Sequence, residues 1–239
     1  MSSINTICNP ASDLATKPGD GVDEVQAELA KALRSLGRGA TADGLLECRK
    51  SIDGGPSYQT NRCDSKYCHK CRYRRAHRYS NVIMPWVKKG HSLNFLTLGV
   101  GESVEPDWRL VKKARQSRRA LLSTAPFKNV LGSLCSIEVS WTGLMYYTHI
   151  HVLYLGDLVE SRCQSPAQRI KAWQSKHFDH THYFNVAVGR TFSDVSTVTS
   201  YVYKGFRARE FPHEAILPYV EATFSTNLVT ARGCLRNAC

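Results

Sequence analysis

The chain has 239 residues and a formal net charge of +12, with 32 lysines and arginines against 20 acidic residues. At about 150 residues per domain, this length corresponds to one large domain or to one domain with appendages. A hydrophobic content of 42% with only 22% charged residues excludes global disorder, and no apolar run approaches the roughly 18 residues of a membrane span. The positive charge makes a polyanion such as nucleic acid the leading partner, although such a charge can also serve solubility alone.

The start of the chain, MSSINTICNPASDLATKPGDG, lacks the basic residues and the apolar stretch of a secretory signal. We therefore expect a cytoplasmic protein with reduced thiols and no membrane partner. Apolar residues at helical spacing predict a helix over 22–37. Residues 1–44 are accordingly interpreted as an N-terminal appendage, partly flexible with one helix, followed by a Cys-rich module with a basic helix over 45–90 and a main domain over 91–239.

Four of the nine cysteines are clustered with the spacing C-x14-C-x4-C-x2-C. Clustering argues against a disulfide framework and for a metal, because zinc prefers four soft ligands and a C-x2-C step directs two sulfurs at one ion. The segment between the first two cysteines is rich in Gly, Pro, Ser and Asn, as is typical of a loop that wraps a metal. His69 and His77 are alternative donors that could replace the first cysteine of the cluster. The predicted ligands of a structural Zn²⁺ are Cys48, Cys63, Cys68 and Cys71.

Directly after the last of these cysteines, the segment RYRRAHRYSNVIMPWVKK over 72–89 predicts a basic helix. Arginines on such a helix can bind phosphates without sequence preference, although a solvated helix face accounts for the same charges. The candidate DNA-binding residues are Arg72, Arg74, Arg75 and Arg78.

From Leu93 onward, the pattern changes to short apolar strands separated by helical segments. The order β-α-β-β-α-β-α predicts an α+β fold, in which an antiparallel sheet carries helices on its faces in a split βαβ arrangement, preceded by the small zinc-binding module. Ser193 or Asp194 is expected to begin the last helix. The predicted elements are a strand at 93–101, a helix at 107–123, strands at 133–141 and 145–156, a helix at 166–178, a strand at 181–190 and a helix at 193–205.

His149 and His151 lie two residues apart in a predicted strand, so both imidazoles project from one face and form half of a metal site. If the hairpin turn centres near Gly143, Glu138 lies opposite His149 and its carboxylate joins the imidazoles. A register shifted by one residue would pair Glu138 with Thr148 and send the carboxylate to the other face. Two histidines and one carboxylate leave coordination positions open, which suits a catalytic divalent ion that also holds a phosphate oxygen.

The sequence Tyr201-Val202-Tyr203-Lys204 supplies a candidate nucleophile. On a helix Tyr201 and Lys204 share a face, whereas Tyr203 is turned roughly 200° from Tyr201. Tyr201 is therefore the predicted nucleophile, and Lys204 is placed to contact a phosphate or to stabilise a phenolate. Tyrosines on helices more often anchor a core, so this interpretation depends on the metal site.

Three motifs in this order carry a family resemblance: FLTLGV at 95–100, IEVSWTGLMYYTHIHVLYL at 137–155 and SYVYKG at 200–205, all preceded by C-x4-C-x2-C. Together they resemble the replication initiators of rolling-circle plasmids, which belong to the HUH endonuclease superfamily. The tail STNLVTARGCLR at 225–236 is similar to the end of those proteins. The resemblance covers residues 45–236.

The resemblance implies a nicking and rejoining enzyme at a plasmid origin, with residues 91–239 as the HUH nickase domain. Cleavage would pass through a 5′-phosphotyrosine and free a 3′-hydroxyl for rolling-circle replication. Some relatives carry a Glu one helical turn before the tyrosine, where this chain has Thr197. Asp194 could substitute for it, although a helix-capping role is favoured. The implied site residues are Tyr201 as nucleophile, Lys204 as the lysine three residues on, and Glu138, His149 and His151 as ligands of Mg²⁺ or Mn²⁺.

The implied substrate is origin DNA that is single-stranded at the nick, with the flanking DNA on the predicted basic helices. No nucleotide-binding P-loop is present in the sequence, so a host helicase and a DNA polymerase are expected partners. A transposase or mobilisation relaxase of the same superfamily would share the chemistry. A noncatalytic zinc-dependent DNA-binding regulator would use the cysteines and basic helices and would not need Glu138 beside two histidines.

Overall fold

The computed structural model describes residues 21–48, 63–178, 183–203 and 211–236. Within these ranges, short 3-10 turns at Ala125–Phe127 and His213–Ala215 join larger elements. No helix in the described ranges is long and apolar enough to cross a membrane. The helices are α1 Gly21–Ser35, α2 Gly39–Leu46, α3 His69–Lys88, α4 Trp108–Leu121, α5 Pro166–His177, α6 Phe192–Val202 and α7 Ile216–Thr223. The strands are β1 Leu93–Ser103, β2 Gly132–Trp141, β3 Tyr146–Leu155, β4 Tyr183–Ala187 and β5 Val229–Gly233.

The five strands form one antiparallel sheet in the order β4-β1-β3-β2-β5. From β1 to α6 the elements follow the predicted order, so the α+β class with an antiparallel sheet is confirmed. The fifth strand was not predicted. It pairs with the first half of β2, from Ser136↔Val229 to Gly132↔Gly233.

The β2–β3 hairpin has the register that the turn sequence predicts. Gly143 adopts a positive φ of 94°, a conformation that costs glycine little. The turn is closed by a hydrogen bond of 3.2 Å from the Thr142 amide to the Met145 carbonyl. Because this turn sets the pairing, Glu138 lies opposite His149 and the alternative pairing with Thr148 does not occur.

The sheet is covered on both faces, and each face has its own apolar core. Side chains of α3 and α6 pack on the face that carries Phe95 and Leu153. The other helices pack on the opposite face, which carries Leu98 and Val152. The N-terminal helices belong to this second layer, since Leu33 of α1 is fully buried in the same core. Helices α3 and α6 therefore lie together over one face of the central strands.

Candidate active site and cysteine cluster

The face of the sheet covered by α3 and α6 carries a polar cluster on its three central strands. Thr97 of β1 lies opposite His151 of β3, and Glu138 of β2 lies opposite His149 of β3. Because side chains alternate along a strand, all four project from the same face. A bulge in β1 between Gly99 and Gly101 adjoins His149 in the pairing. The pairing of the three strands thus places the Glu138 carboxylate and both imidazoles on one face of the sheet.

His151 is the centre of this cluster. Its Nε2 lies 2.6 Å from Glu138 Oε2, and its Nδ1 lies 2.8 Å from Thr97 Oγ1, so both ring nitrogens are hydrogen-bonded. Glu138 is 5% exposed and His151 is 2% exposed, so the pair is held in the protein interior. A buried carboxylate is costly unless it is paired, and His151 supplies that partner. Thr97 was missed by sequence reasoning, because only the β1–β3 register brings it to the imidazole.

His149 lies beside this pair and is half-buried. Its ring is stacked between those of Tyr147 and His151, with centroids 6.0 Å from each. The nearest ligand atoms of Glu138, His149 and His151 do not all lie within 4.8 Å of one another, a spacing reached within the described ranges only by the cysteines. The structure therefore brings Glu138 and His151 into contact and leaves His149 as their neighbour.

Helix α6 places Tyr201 on this same face. The Tyr201 ring meets the His151 ring edge to face with centroids 5.2 Å apart, and it meets the Phe95 ring in the same way at 5.5 Å. Phe95 in turn stacks on His151 at 5.5 Å, so the three rings hold one another in place. The predicted nucleophile therefore lies directly against the predicted metal-binding histidine.

Tyr203 has a different environment. Its ring is buried and stacks on Tyr79 of α3 at a centroid distance of 5.7 Å. Tyr203 thus links α6 to α3. The rotation of roughly 200° between Tyr201 and Tyr203 on a helix predicts that the two rings have different partners. Lys204 lies outside the described residues.

The start of α6 corrects one expectation. The helix begins after Thr191, and not with Ser193 or Asp194 as the cap, because Thr191 and Asp194 form a capping box. The Asp194 carboxylate accepts hydrogen bonds from the Thr191 hydroxyl at 2.7 Å and from the Thr191 amide at 3.0 Å. These bonds lower the pKa of Asp194. The favoured capping role of Asp194 thus has a structural basis, while Thr197 is half-buried further along the helix.

The four clustered cysteines converge as their spacing predicts. All four Sγ atoms lie within 4.8 Å of one another, and the group could hold a metal such as zinc. Cys48 lies 3.5 Å from both Cys68 and Cys71, so this cysteine belongs to the cluster. His69 is exposed, and His77 packs against Phe192 and reaches Asn81.

The sulfurs influence one another strongly. Hydrogen bonding from the Cys63 thiol lowers the pKa of Cys68 to about 4 and raises that of Cys63. Burial raises the pKa of Cys71. A thiolate at Cys68 is the form in which a cysteine ligates a metal.

The cysteine cluster is tied to the second helical layer by Lys66. The Lys66 ammonium donates to the carbonyls of Thr223, Phe224 and Thr226 at 2.7, 2.6 and 2.9 Å. Burial lowers the pKa of Lys66 to about 8. The cation satisfies carbonyls at and just after the end of α7, which helix geometry leaves without partners. Sequence reasoning missed this contact, because it joins segments far apart in the chain.

The four arginines predicted to bind DNA have unequal environments. Arg74 and Arg75 donate to the side chain and the backbone of Asp64, respectively. Arg78 is exposed. Arg72 is half-buried; burial lowers its pKa, and the neighbouring Tyr219, Cys68 and Glu138 offset part of that effect. Arg72 therefore lies within electrostatic range of the polar cluster, and Arg78 is the most accessible of the four.

Comparisons with protein-family models, curated proteins and solved structures give no match for this chain.

Proposed function

We propose that the chain is a metal-dependent DNA nickase and strand transferase. More specifically, we propose that it initiates rolling-circle plasmid replication by site- and strand-specific cleavage and rejoining at an origin, as an HUH endonuclease in the cytoplasm. The observation that carries this proposal is the contact between Tyr201 and His151, whose ring is paired with Glu138. A phenol, two imidazoles and a buried carboxylate on one face supply the groups that phosphodiester cleavage needs.

A phenol with a pKa near 10 is a weak nucleophile at neutral pH, so its surroundings must assist it. Glu138, His149 and His151 would hold Mg²⁺ or Mn²⁺. One carboxylate and two imidazoles suit a divalent ion that retains open positions, although their ligand atoms are more widely spaced than those of the four cysteines. Such an ion, when bound, neutralises charge on the phosphate that is cleaved. Thr97 fixes the His151 ring through Nδ1, which leaves Nε2 directed at Glu138.

In the proposed step, the Tyr201 oxygen forms a bond to phosphorus while the bond from phosphorus to the 3′ oxygen breaks. The upstream strand is left with a 3′-hydroxyl, which takes up a proton equivalent to the one the phenol loses. The downstream strand is left on Tyr201 as a 5′-phosphotyrosine. Phe95 holds the Tyr201 ring from the side, so the phenol approaches the phosphate from a fixed direction. A 3′-hydroxyl on another strand reverses the step and rejoins the DNA.

The cysteine cluster would hold a structural Zn²⁺. Helix α3 begins at this cluster with His69 and runs to the surface of the sheet, where Tyr79 packs on Tyr203, the residue that follows α6. Zinc at the cluster would therefore fix the start of the helix against which the nucleophile-bearing helix packs. Exposed cations such as Arg78 would bind the flanking DNA, and a host helicase and DNA polymerase would use the freed end.

The test is formation of a covalent adduct. Purified protein is incubated with Mn²⁺ and labelled, overlapping single-stranded oligonucleotides from the replicon that encodes the chain, and label that remains on the protein after denaturation is measured. We expect an adduct with one oligonucleotide, its loss in Tyr201→Phe, and its retention in the matched variant Tyr203→Phe.

Other outcomes of this assay would assign the chain to another functional class. Binding without cleavage by the wild-type protein would indicate a zinc-dependent regulator. Cleavage only of transposon-end or transfer-origin strands would indicate a transposase or a mobilisation relaxase. An undiminished adduct in Tyr201→Phe would show that another residue is the nucleophile.

A further inference from the structure

A groove of about 560 Å³ opens between the last turns of α3 and the start of α6. This α3–α6 groove is lined on one side by Asn81, Met84, Pro85 and Lys88, and on the other by Arg190 and Phe192. Its volume lies within the range of about 300 to 1,000 Å³ typical of ligand sites. None of these residues belongs to the polar cluster on the sheet.

The groove combines an exposed aromatic ring with two cations. Phe192 is 42% exposed, and the edge-to-face contact with His77, at a centroid distance of 5.9 Å, supports its ring. Lys88 and Arg190 are exposed on opposite walls. An aromatic platform in a groove that also carries cations is the pattern by which proteins stack one base and neutralise the adjoining phosphates of a single strand.

The acid closest to Arg190 in sequence is Asp194, four residues later. Its carboxylate accepts hydrogen bonds from the amide and the hydroxyl of Thr191 in the capping box. Gly189 packs closely on the same carboxylate, since a Cβ at this position would lie 2.2 Å from Asp194 Oδ2. The backbone that carries Arg190 and Phe192 is therefore fixed by a local network.

The groove is connected to the proposed nucleophile by one helix. Phe192 begins α6 and Tyr201 lies near its end, nine residues later, which corresponds to about 13 Å along the axis. Both ends of the helix lie over the same face of the sheet, because α3 and α6 pack there together. The groove and the proposed nucleophile are therefore separated by little more than the length of one short helix.

We propose that the α3–α6 groove binds a nucleotide of the single-stranded DNA that flanks the cleaved phosphate. The base stacks on Phe192, and Lys88 and Arg190 bind the adjoining phosphates. That the bound DNA flanks the cleaved phosphate rests on the proposed nickase function. That the groove binds single-stranded DNA does not depend on that function.

The probe is a fluorescein-labelled oligothymidine of 20 nucleotides, bound to the full chain without divalent ions and followed by fluorescence anisotropy. Loss of one stacking platform weakens single-strand binding by about 10-fold, so we expect this increase in Kd for Phe192→Ala and near wild-type binding for Phe192→Trp. Equal thermal midpoints of the two variants exclude a folding defect as the cause.

The charges are tested by salt dependence. Each phosphate contact on a single strand contributes about 0.7 to the slope of log K against log salt, so Lys88→Ala combined with Arg190→Ala should reduce the magnitude of the slope by about 1.4. Lys31→Ala is the matched control, because Lys31 is an exposed cation on α1 in the opposite layer. The magnitude of the salt slope should fall less in Lys31→Ala than in Lys88→Ala or Arg190→Ala alone.

Unchanged Kd and slope in all groove variants would overturn the proposal, and tighter binding of oligouridine than of oligothymidine would assign the groove to RNA instead. The adduct assay separates the two proposals. If the wild-type protein forms no adduct but Phe192→Ala still weakens oligothymidine binding, the nickase function fails and the groove stands. If the adduct forms and groove variants bind normally, only the groove proposal fails.

Discussion

Thr97 holds the imidazole of His151 from the strand next to it, with Oγ1 2.8 Å from Nδ1. The two residues are directly paired across β1 and β3, so the hydrogen bond follows from the register of the sheet. A partner of this kind fixes the orientation of a metal-binding histidine. Thr97 is accordingly a positioning residue whose contribution can be measured.

Replacing Thr97 with Val removes the hydroxyl and keeps the shape of the side chain. We expect the Mn²⁺ concentration for half-maximal adduct formation to rise by about 10- to 100-fold, with recovery at saturating Mn²⁺, because the partners of ligating histidines influence metal affinity by this amount. Thr148→Val is the matched control, since Thr148 is a buried threonine of β3 on the opposite face. Equal Mn²⁺ requirements in the two variants would exclude a role for the Thr97 hydroxyl.

Glu138→Gln tests the carboxylate itself. The amide keeps the size of the side chain and lacks the charge that a divalent ion requires, so we expect adduct formation to fall by about 100-fold or more at every Mn²⁺ concentration while oligonucleotide binding persists. Glu24→Gln, at an exposed position of α1 in the opposite layer, serves as the comparison. Adduct formation at the wild-type rate by the Glu138 variant would remove this residue from the site.

The cysteine cluster predicts one zinc ion per chain. Elemental analysis of the protein purified without added metal should give about one equivalent, and Cys68→Ser should lose it and melt at a lower temperature, because structural zinc contributes directly to folding. Cys163→Ser, at an exposed cysteine outside the cluster, should retain both zinc and stability. Full zinc content in Cys68→Ser would contradict a four-cysteine site.

Lys66 offers a test of the connection between the cysteine cluster and α7. Lys66→Met keeps the apolar stem and removes three hydrogen bonds from the ammonium to backbone carbonyls. Since a hydrogen bond to a charged group contributes about 1.5 to 3 kcal/mol and the burial of the ammonium offsets part of that, we expect the free energy of unfolding to fall by about 2 to 4 kcal/mol. Denaturant unfolding measures this free energy, and Lys128→Met, at an exposed position, is the control. Equal stabilities of the two variants would show that these bonds add nothing.

The sequence allowed the central part of the site to be predicted because short-range rules determine it. Strand alternation places His149 and His151 on one face, and the turn at Gly143 brings Glu138 opposite His149. Helical geometry separates Tyr201 from Tyr203. Each of these relationships depends on residues close together in the chain.

The remaining features depend on packing between distant segments. Thr97 reaches His151 only through the β1–β3 pairing, and Lys66 reaches α7 across most of the chain. The strand Val229–Gly233 alternates apolar and polar residues over only four positions, VTAR, and its partner β2 lies about 100 residues earlier, so its position in the sheet could not be predicted. The sequence predicts the cap of α6 two or three residues late, because Ser193, Asp194 and Thr191 are all suitable cap residues.

The pairing of β5 with β2 has a consequence for biosynthesis. The two partners are separated by about 100 residues of chain, and at 5 to 20 residues per second a ribosome needs about 5 to 20 seconds to make that interval. During this time the outer side of β2 presents unpaired backbone groups to the solvent, where other extended chains could pair with them. The newly made protein therefore passes through a period in which a chaperone could cover this edge before its own last strand arrives.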